Sequence, residues 1–284
     1  MPGISTENKL TVNNTISTNA LKILAIIAMV SDHIPYLSEF WAEQYYTFPW
    51  FLMHAFGRLT APIFFYLLAL GYRRTRNANR YTIRLLIFAL ISYIPYIWYF
   101  KGTAPGTDAF LNYFLELNII FTLLIGLLLL RTIHEVRNNV IKGILIVLLL
   151  LAGFWCDYGL YGIAMILVCD ACKNSRRNTV LGIGIVMMVS VYIRVSGWLP
   201  GGDQFFDSFF GTVAMMFNPS YWMFGSVVVM LCQLIPLIFI ARHRVWIPGY
   251  TGERRPSLLA KWGFYIFYPA HITVLLLIKL FLIS

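Results

Sequence analysis

The chain has 284 residues, of which 59% are hydrophobic and 12% charged, with a formal net charge of +10 and a mean hydropathy of +0.72. Soluble domains average roughly 45–50% apolar and 25% charged residues, so this much apolar surface needs lipid as its solvent, and an ordinary soluble domain is excluded. The basic excess lies in loops between apolar runs, where it reads as an orientation signal in a bilayer, and no nucleic-acid partner is expected.

The first segment, MPGISTENKLTVNNTIST over residues 1–18, is polar, rich in Asn and Thr, and lacks an apolar core. It is expected to be a flexible cytoplasmic tail and not a cleaved secretory signal. Residues 19–284 are expected to form one integral membrane helical domain of all-α class, a polytopic transmembrane helix bundle. About nine spans are legible, near 20–37, 48–72, 81–99, 115–131, 139–155, 157–171, 179–197, 221–241 and 262–283. The stretch 204–217 is too short to span comfortably and is expected to re-enter or lie at the interface; if it crosses, the spans number ten.

Alternate loops carry the arginines and lysines. Arg73, Arg74, Arg76 and Arg80 follow the second span, Arg131, Arg137 and Lys142 the fourth, and Lys173, Arg176 and Arg177 the sixth. Arg242, Arg244, Arg254, Arg255 and Lys261 follow the eighth, whereas the intervening loops hold mostly Asp and Glu. This pattern places the basic loops and the N-terminus on the cytoplasmic side of the membrane.

Within the spans, polar residues recur at similar depth. Asp32 and His33 close the run LKILAIIAMVSDHIPYL, and ionisable residues inside a bilayer are costly enough to point to proton chemistry, ion movement or ligand binding. At about 1.5 Å per residue His33 falls in the outer half, His54 roughly 9 Å in from the outer face, and Arg58 and His271 near the middle. Residues 32 and 33 project about 100° apart, so Asp32 is expected to pair with Arg58 and leave His33 facing a cavity. Pro35 is expected to disturb the helix end there. Asp157, followed by Tyr158, is expected to cap the outer end of the sixth span and, with His54, Asn118 and Thr122, to line a substrate pocket. His134 and His243 fall in the basic loops and are expected at the surface.

Other motifs exclude several chemistries. Cys169 and Cys172 form a C-x-x-C without a second pair, so no metal site is expected. Neither a phosphate-binding nor a dinucleotide-binding glycine fingerprint occurs, and the G-x-S-x-G elbow of α/β-hydrolases is absent.

The segments LKILAIIAMVSDHI at 21–34 and GRLTAPIFFYLLALGYRRTRNANRYTIRLLIFALISYIP at 57–95 resemble the TraX family of bacterial membrane proteins. LNIIFTLLIGLLLL at 117–130, DYGLYGIAMIL at 157–167 and KWGFYIFYPAHITVLLLI at 261–278 extend the resemblance, which is weakest over 195–245. It implies acetylation of a pilin N-terminal amine. The layout, a histidine late in the first span and arginines after the second, is also similar to that of integral membrane acyltransferases.

The resemblance implies acetyl-CoA as acyl donor, its phosphates held by Arg73, Arg74, Arg76, Arg80 and Arg84. His33 would act as general base with Asp32 and His271 beside it, and Arg58 would stabilise the oxyanion, with Asn118 or Thr122 as lesser candidates. The acceptor would be a pilin-like or other envelope molecule arriving from outside or from lipid. A proton-coupled transporter, an O-acyltransferase acting on a glycan or lipid hydroxyl, and a non-enzymatic assembly factor remain alternative readings.

Overall fold

The structure, a computed structural model, describes residues 15–37, 48–196, 231–247 and 258–283. Its longer helices are α1 (Thr18–His33), α2 (Phe48–Gly57), α3 (Thr60–Arg74), α4 (Ala78–Lys101) and, after the short α5 (Asp108–Asn112), α6 (Ile119–Glu135). These are followed by α7 (Asn139–Gly153), α8 (Gly159–Ala171), α9 (Arg176–Ser196), the short α10 (Pro236–Ala241) and α11 (Leu258–Ile283). No strand occurs among the described residues. The fold is an all-α transmembrane helix bundle.

Helix starts follow local chemistry. Ser17 Oγ accepts the Ala20 N–H at 3.1 Å, and the side-chain oxygens of Asn77, Asn118 and Asn138 accept from the first turns of α4, α6 and α7. Each such cap satisfies a backbone donor that the helix itself leaves open. α4 ends on Gly102, whose φ of +68° suits a residue without a Cβ.

Among the described residues, five helical stretches are long and apolar enough to cross a membrane: Thr18–Leu37, Leu52–Arg74, Ala78–Lys101, Arg176–Ile193 and Trp262–Phe281. The shorter apolar helices Asn139–Gly153 and Gly159–Ala171 pack beside them. Val140 is 72% exposed, Ile185 64% and Phe281 81%, side chains that lipid covers at no cost and water would penalise at about 25 cal/mol per Å². The interior is built by α1, α3, α4, α6, α8 and α11 around Phe65, Tyr66, Ile63, Leu127 and Ile272.

The structure corrects several expectations. The second span is two helices, broken at Arg58 and Leu59. Pro62 explains the break: it has no N–H for the Arg58 carbonyl four residues back, and its ring would collide with that carbonyl in a continuous helix. α1 ends at His33 and passes into a 3₁₀ turn at Ile34–Leu37 that contains Pro35.

At the other end of α1, residues 15–17 are held. Ile16 donates its N–H to the Arg242 carbonyl at 2.8 Å and accepts from Arg244 N–H at 3.0 Å, so this stretch packs on the 242–244 segment. His243, expected at the surface, is 1% exposed: Tyr66 Oη lies 2.8 Å from its Nδ1 and Thr18 Oγ1 3.0 Å from its Nε2. The loop looks polar in sequence, but the fold folds this histidine back under α3. His134 is exposed as expected and hydrogen-bonds Asp170 Oδ2 at 2.7 Å. The residue that caps α8 is Tyr158 and not Asp157. The expected helix at 204–217 and the first half of the expected span 221–241 lie outside the described residues.

Candidate functional site

Two polar groupings meet where α1 ends. In the first, Asp32 Oδ1 accepts from His54 Nδ1 at 2.7 Å and from Arg58 Nη2 at 3.2 Å. The Arg58 pairing is the one expected; the His54 bond adds a second donor from the same broken span. Arg58 reaches Asp32 because the chain leaves helical geometry just there, and Arg58 Nε turns back to the His54 carbonyl at 3.4 Å. Gly57 is the enabling residue: a Cβ there would collide with Cβ, Cγ and Oδ1 of Asp32.

In the second grouping, His33 Nδ1 lies 2.8 Å from His271 Nε2, while His271 Nδ1 lies 2.9 Å from the Phe267 carbonyl. A carbonyl only accepts, so His271 carries its proton on Nδ1 and presents a lone pair at Nε2. His33 therefore donates from Nδ1, which leaves its Nε2 as the basic nitrogen. The tautomers follow from the network. Tyr99 Oη donates to the His33 carbonyl at 2.7 Å, fixing the backbone where the helix gives out, and Phe100 meets the His33 ring edge-on at 5.0 Å.

Both groupings open on one polar cavity of about 300 Å³, lined by Asp32, His33, Tyr36, Arg58, Thr60, Tyr96, Lys101, Asp157 and Tyr158 among others. Lys101 at its edge pairs with Glu116 at 2.5 Å. The predicted pocket residues divide. Asp157 and Tyr158 line this cavity. Asn118 does not: its Nδ2 donates to the Ala89 carbonyl at 3.0 Å and its Oδ1 caps α6. The Thr122 hydroxyl donates to the Asp157 carbonyl, so it shapes the cavity wall without facing the cavity. His54 is 4% exposed and touches the site through Asp32.

At the opposite end of α1 lies a second cavity of about 480 Å³, lined by Lys22, Arg74, Arg76, Arg80 and Arg84 with Thr18, Asn77, Tyr81 and Tyr265. The Arg84 guanidinium sits over the rings of Tyr81 and Tyr265 at 5.6 and 5.7 Å, and its buried Nε has no hydrogen-bond partner among the described residues. Four of the five predicted arginines thus converge. Arg73 does not: it bonds the Ala69 carbonyl at 3.3 Å and faces Cys169 and Asp170. Lys22 takes its place, a residue the sequence reading passed over.

Between the two cavities runs an apolar neck of about 30 Å³, lined by Met29, Phe64, Leu85, Ile119, Ile120, Leu123, Phe264, Tyr265 and Tyr268. Phe64, Leu85, Leu123, Phe264 and Tyr265 also line the basic cavity, and Met29, Ile119 and Tyr268 also line the polar one. Its volume is close to one water's share of liquid, so nothing bulky fits in it. α1 borders all three spaces, with Lys22 and His33 about 16 Å apart along its axis.

A family model described as TraX protein matches residues 17–279. The chain is also 28% identical over 274 residues to a protein of Dichelobacter nodosus described as "Probable fimbrial assembly protein FimC, serogroup H1", covering 95% of this chain and 98% of that one. No solved structure matches.

Proposed function

The chain belongs to the TraX family, and from that premise we propose that it is a membrane-embedded acyltransferase moving an acetyl group from acetyl-CoA to an amine of a pilin-like envelope protein. The observation that carries this reading is the line of three spaces: an arginine-rich mouth, a small apolar neck, and a chamber holding His33. Few ligands need all three. Acyl-CoA does, with a polyanionic nucleotide head, a slender pantetheine arm and a thioester at its tip. The fimbrial description of the Dichelobacter relative favours a pilus subunit as acceptor.

On this reading the basic mouth faces the cytoplasm, the N-terminus lies on the same side, and the protein resides in the bacterial inner membrane. Lys22, Arg74, Arg76, Arg80 and Arg84 hold the phosphates, arginine offering planar forks of donors. His33 Nε2 takes a proton from the amine as its nitrogen attacks the thioester carbonyl carbon. The carbonyl electron pair moves to oxygen, where Arg58 stabilises the charge. Collapse breaks the C–S bond, and His33 returns the proton to the departing CoA thiolate. His271 holds His33 in the required tautomer, and Asp32 with His54 holds Arg58.

The test is comparative mass spectrometry of envelope proteins, glycans and lipids from cells with and without the gene. An acetyl mass shift on a protein N-terminus, lost with the gene and with His33→Ala, is the expected result. A shift confined to a glycan or lipid hydroxyl redirects the acceptor class, and identical profiles contradict acyl transfer.

A further inference from the structure

Resting on the acyl-transfer reading, we propose that the Tyr158 hydroxyl is a second catalytic donor, completing with Arg58 the hole that receives the thioester oxygen. Asn118 and Thr122, the other candidates for that role, are both engaged elsewhere. Thr122 instead helps to build the mount for Tyr158.

The mount is unusual. Tyr158 has φ of +64° and is the one non-glycine residue with positive φ among the described residues. That region is uncommon for a bulky side chain and costs it free energy, which glycine or asparagine would not incur. The surrounding backbone holds the conformation in place. Asp157 donates its N–H to the Leu117 carbonyl at 2.7 Å, its carbonyl accepts from Thr122, and Gly159 donates to the Cys156 carbonyl at 2.8 Å. A tight turn into α8 needs none of the tyrosine ring. The ring is nonetheless present, and it lines the polar cavity with His33 and Arg58.

Its surroundings suit a donor. Phe65 meets the ring edge-on at 5.7 Å and Tyr161 stacks on it at 6.1 Å, fixing its plane. Arg58, Asp32 and Asp157 are its charged neighbours. Among the described residues the hydroxyl has no hydrogen-bond partner, which leaves its proton for a ligand. In the transfer step it donates a hydrogen bond to the oxygen that gains the carbonyl electron pair, and keeps its proton when the C–S bond breaks.

The experiment uses purified full-length protein with acetyl-CoA and a synthetic apolar peptide bearing a free N-terminal amine, following CoA thiol release, CoA binding and thermal unfolding. Tyr158→Phe keeps the ring, its packing and its backbone, and should lower kcat by roughly 10²–10³-fold with KM for acetyl-CoA and the melting temperature unchanged. Tyr72→Phe, which removes a hydroxyl bonded to Glu135 outside all three spaces, should leave kcat within twofold. An active wild type with Tyr158→Phe within twofold of it overturns the Tyr158 assignment alone. A fall in melting temperature that matches the loss of activity assigns the hydroxyl to folding and also overturns it. Wild-type protein that binds acetyl-CoA and releases no CoA overturns the acyl-transfer reading itself.

Discussion

His33 Nδ1 and His271 Nε2 lie 2.8 Å apart although 238 positions separate them in the chain, and the second nitrogen of His271 is already held by the Phe267 carbonyl. That order of bonds makes His271 the acceptor and His33 the residue with a free basic nitrogen, so the two should respond differently to substitution. His33→Ala should reduce turnover by roughly 10²–10⁴-fold with CoA binding intact. His271→Ala should cost less and His271→Gln less again, since glutamine can still accept from Nδ1. Steady-state kinetics of the three purified variants checks this; equal losses in all three would contradict the assigned order.

Gly57 permits the Asp32–Arg58 pair, because any Cβ at that position enters the space of the Asp32 carboxylate. Gly57→Ala should therefore destabilise by about 1–3 kcal/mol, the usual range for overpacking, and lower activity with it. Thermal unfolding in detergent measures the first effect. A fully stable and fully active Gly57→Ala would show that the close approach has no consequence.

Asp32→Asn leaves the part-buried Arg58 beside a neutral group and should destabilise the fold by about 1.5–3 kcal/mol, lowering folded yield. Adding Arg58→Gln should restore part of the yield but not the activity. A double-mutant cycle on unfolding provides the measure, and additive losses would mean that the pair is not coupled.

Arg74 and Arg80 line the basic mouth and Arg73 does not. Arg74→Glu with Arg80→Glu should raise KM for acetyl-CoA more than it lowers kcat, because phosphate contacts serve ground and transition states alike. Arg73→Glu should leave KM within twofold. Calorimetric titration with CoA separates these, and a common effect of all three would reduce the arginines to an orientation signal.

Much of the site could be read directly from residue types. Asp32, His33, Arg58 and His271 stand out because ionisable groups in apolar runs are costly, and their common depth followed from simple counting. Other parts were hidden for physical reasons. The neck is lined by Leu85, Ile120, Leu123 and Phe264, which nothing in sequence separates from lipid-facing neighbours such as Leu86 and Ile87. Arg73 and Arg74 look equivalent, yet adjacent helix positions diverge by about 100°, so only one could face the mouth. The burial of His243 depends on a partner, Tyr66, 177 positions away. The sequence points to Tyr158 as a pocket residue but not to its backbone conformation, which arises beside bonds of Asp157 to Leu117 and Thr122 that only the fold brings near.

The central claim is that a donor held at the arginine mouth reaches His33 through the neck, and one substitution isolates it. Ile120→Trp fills the neck at a residue that lines neither of the two polar cavities. Purified wild-type and Ile120→Trp proteins should bind CoA with similar affinity by calorimetry, while mass spectrometry finds acetylated peptide with the wild type only. Acetylation at the wild-type rate with the neck filled would contradict the account.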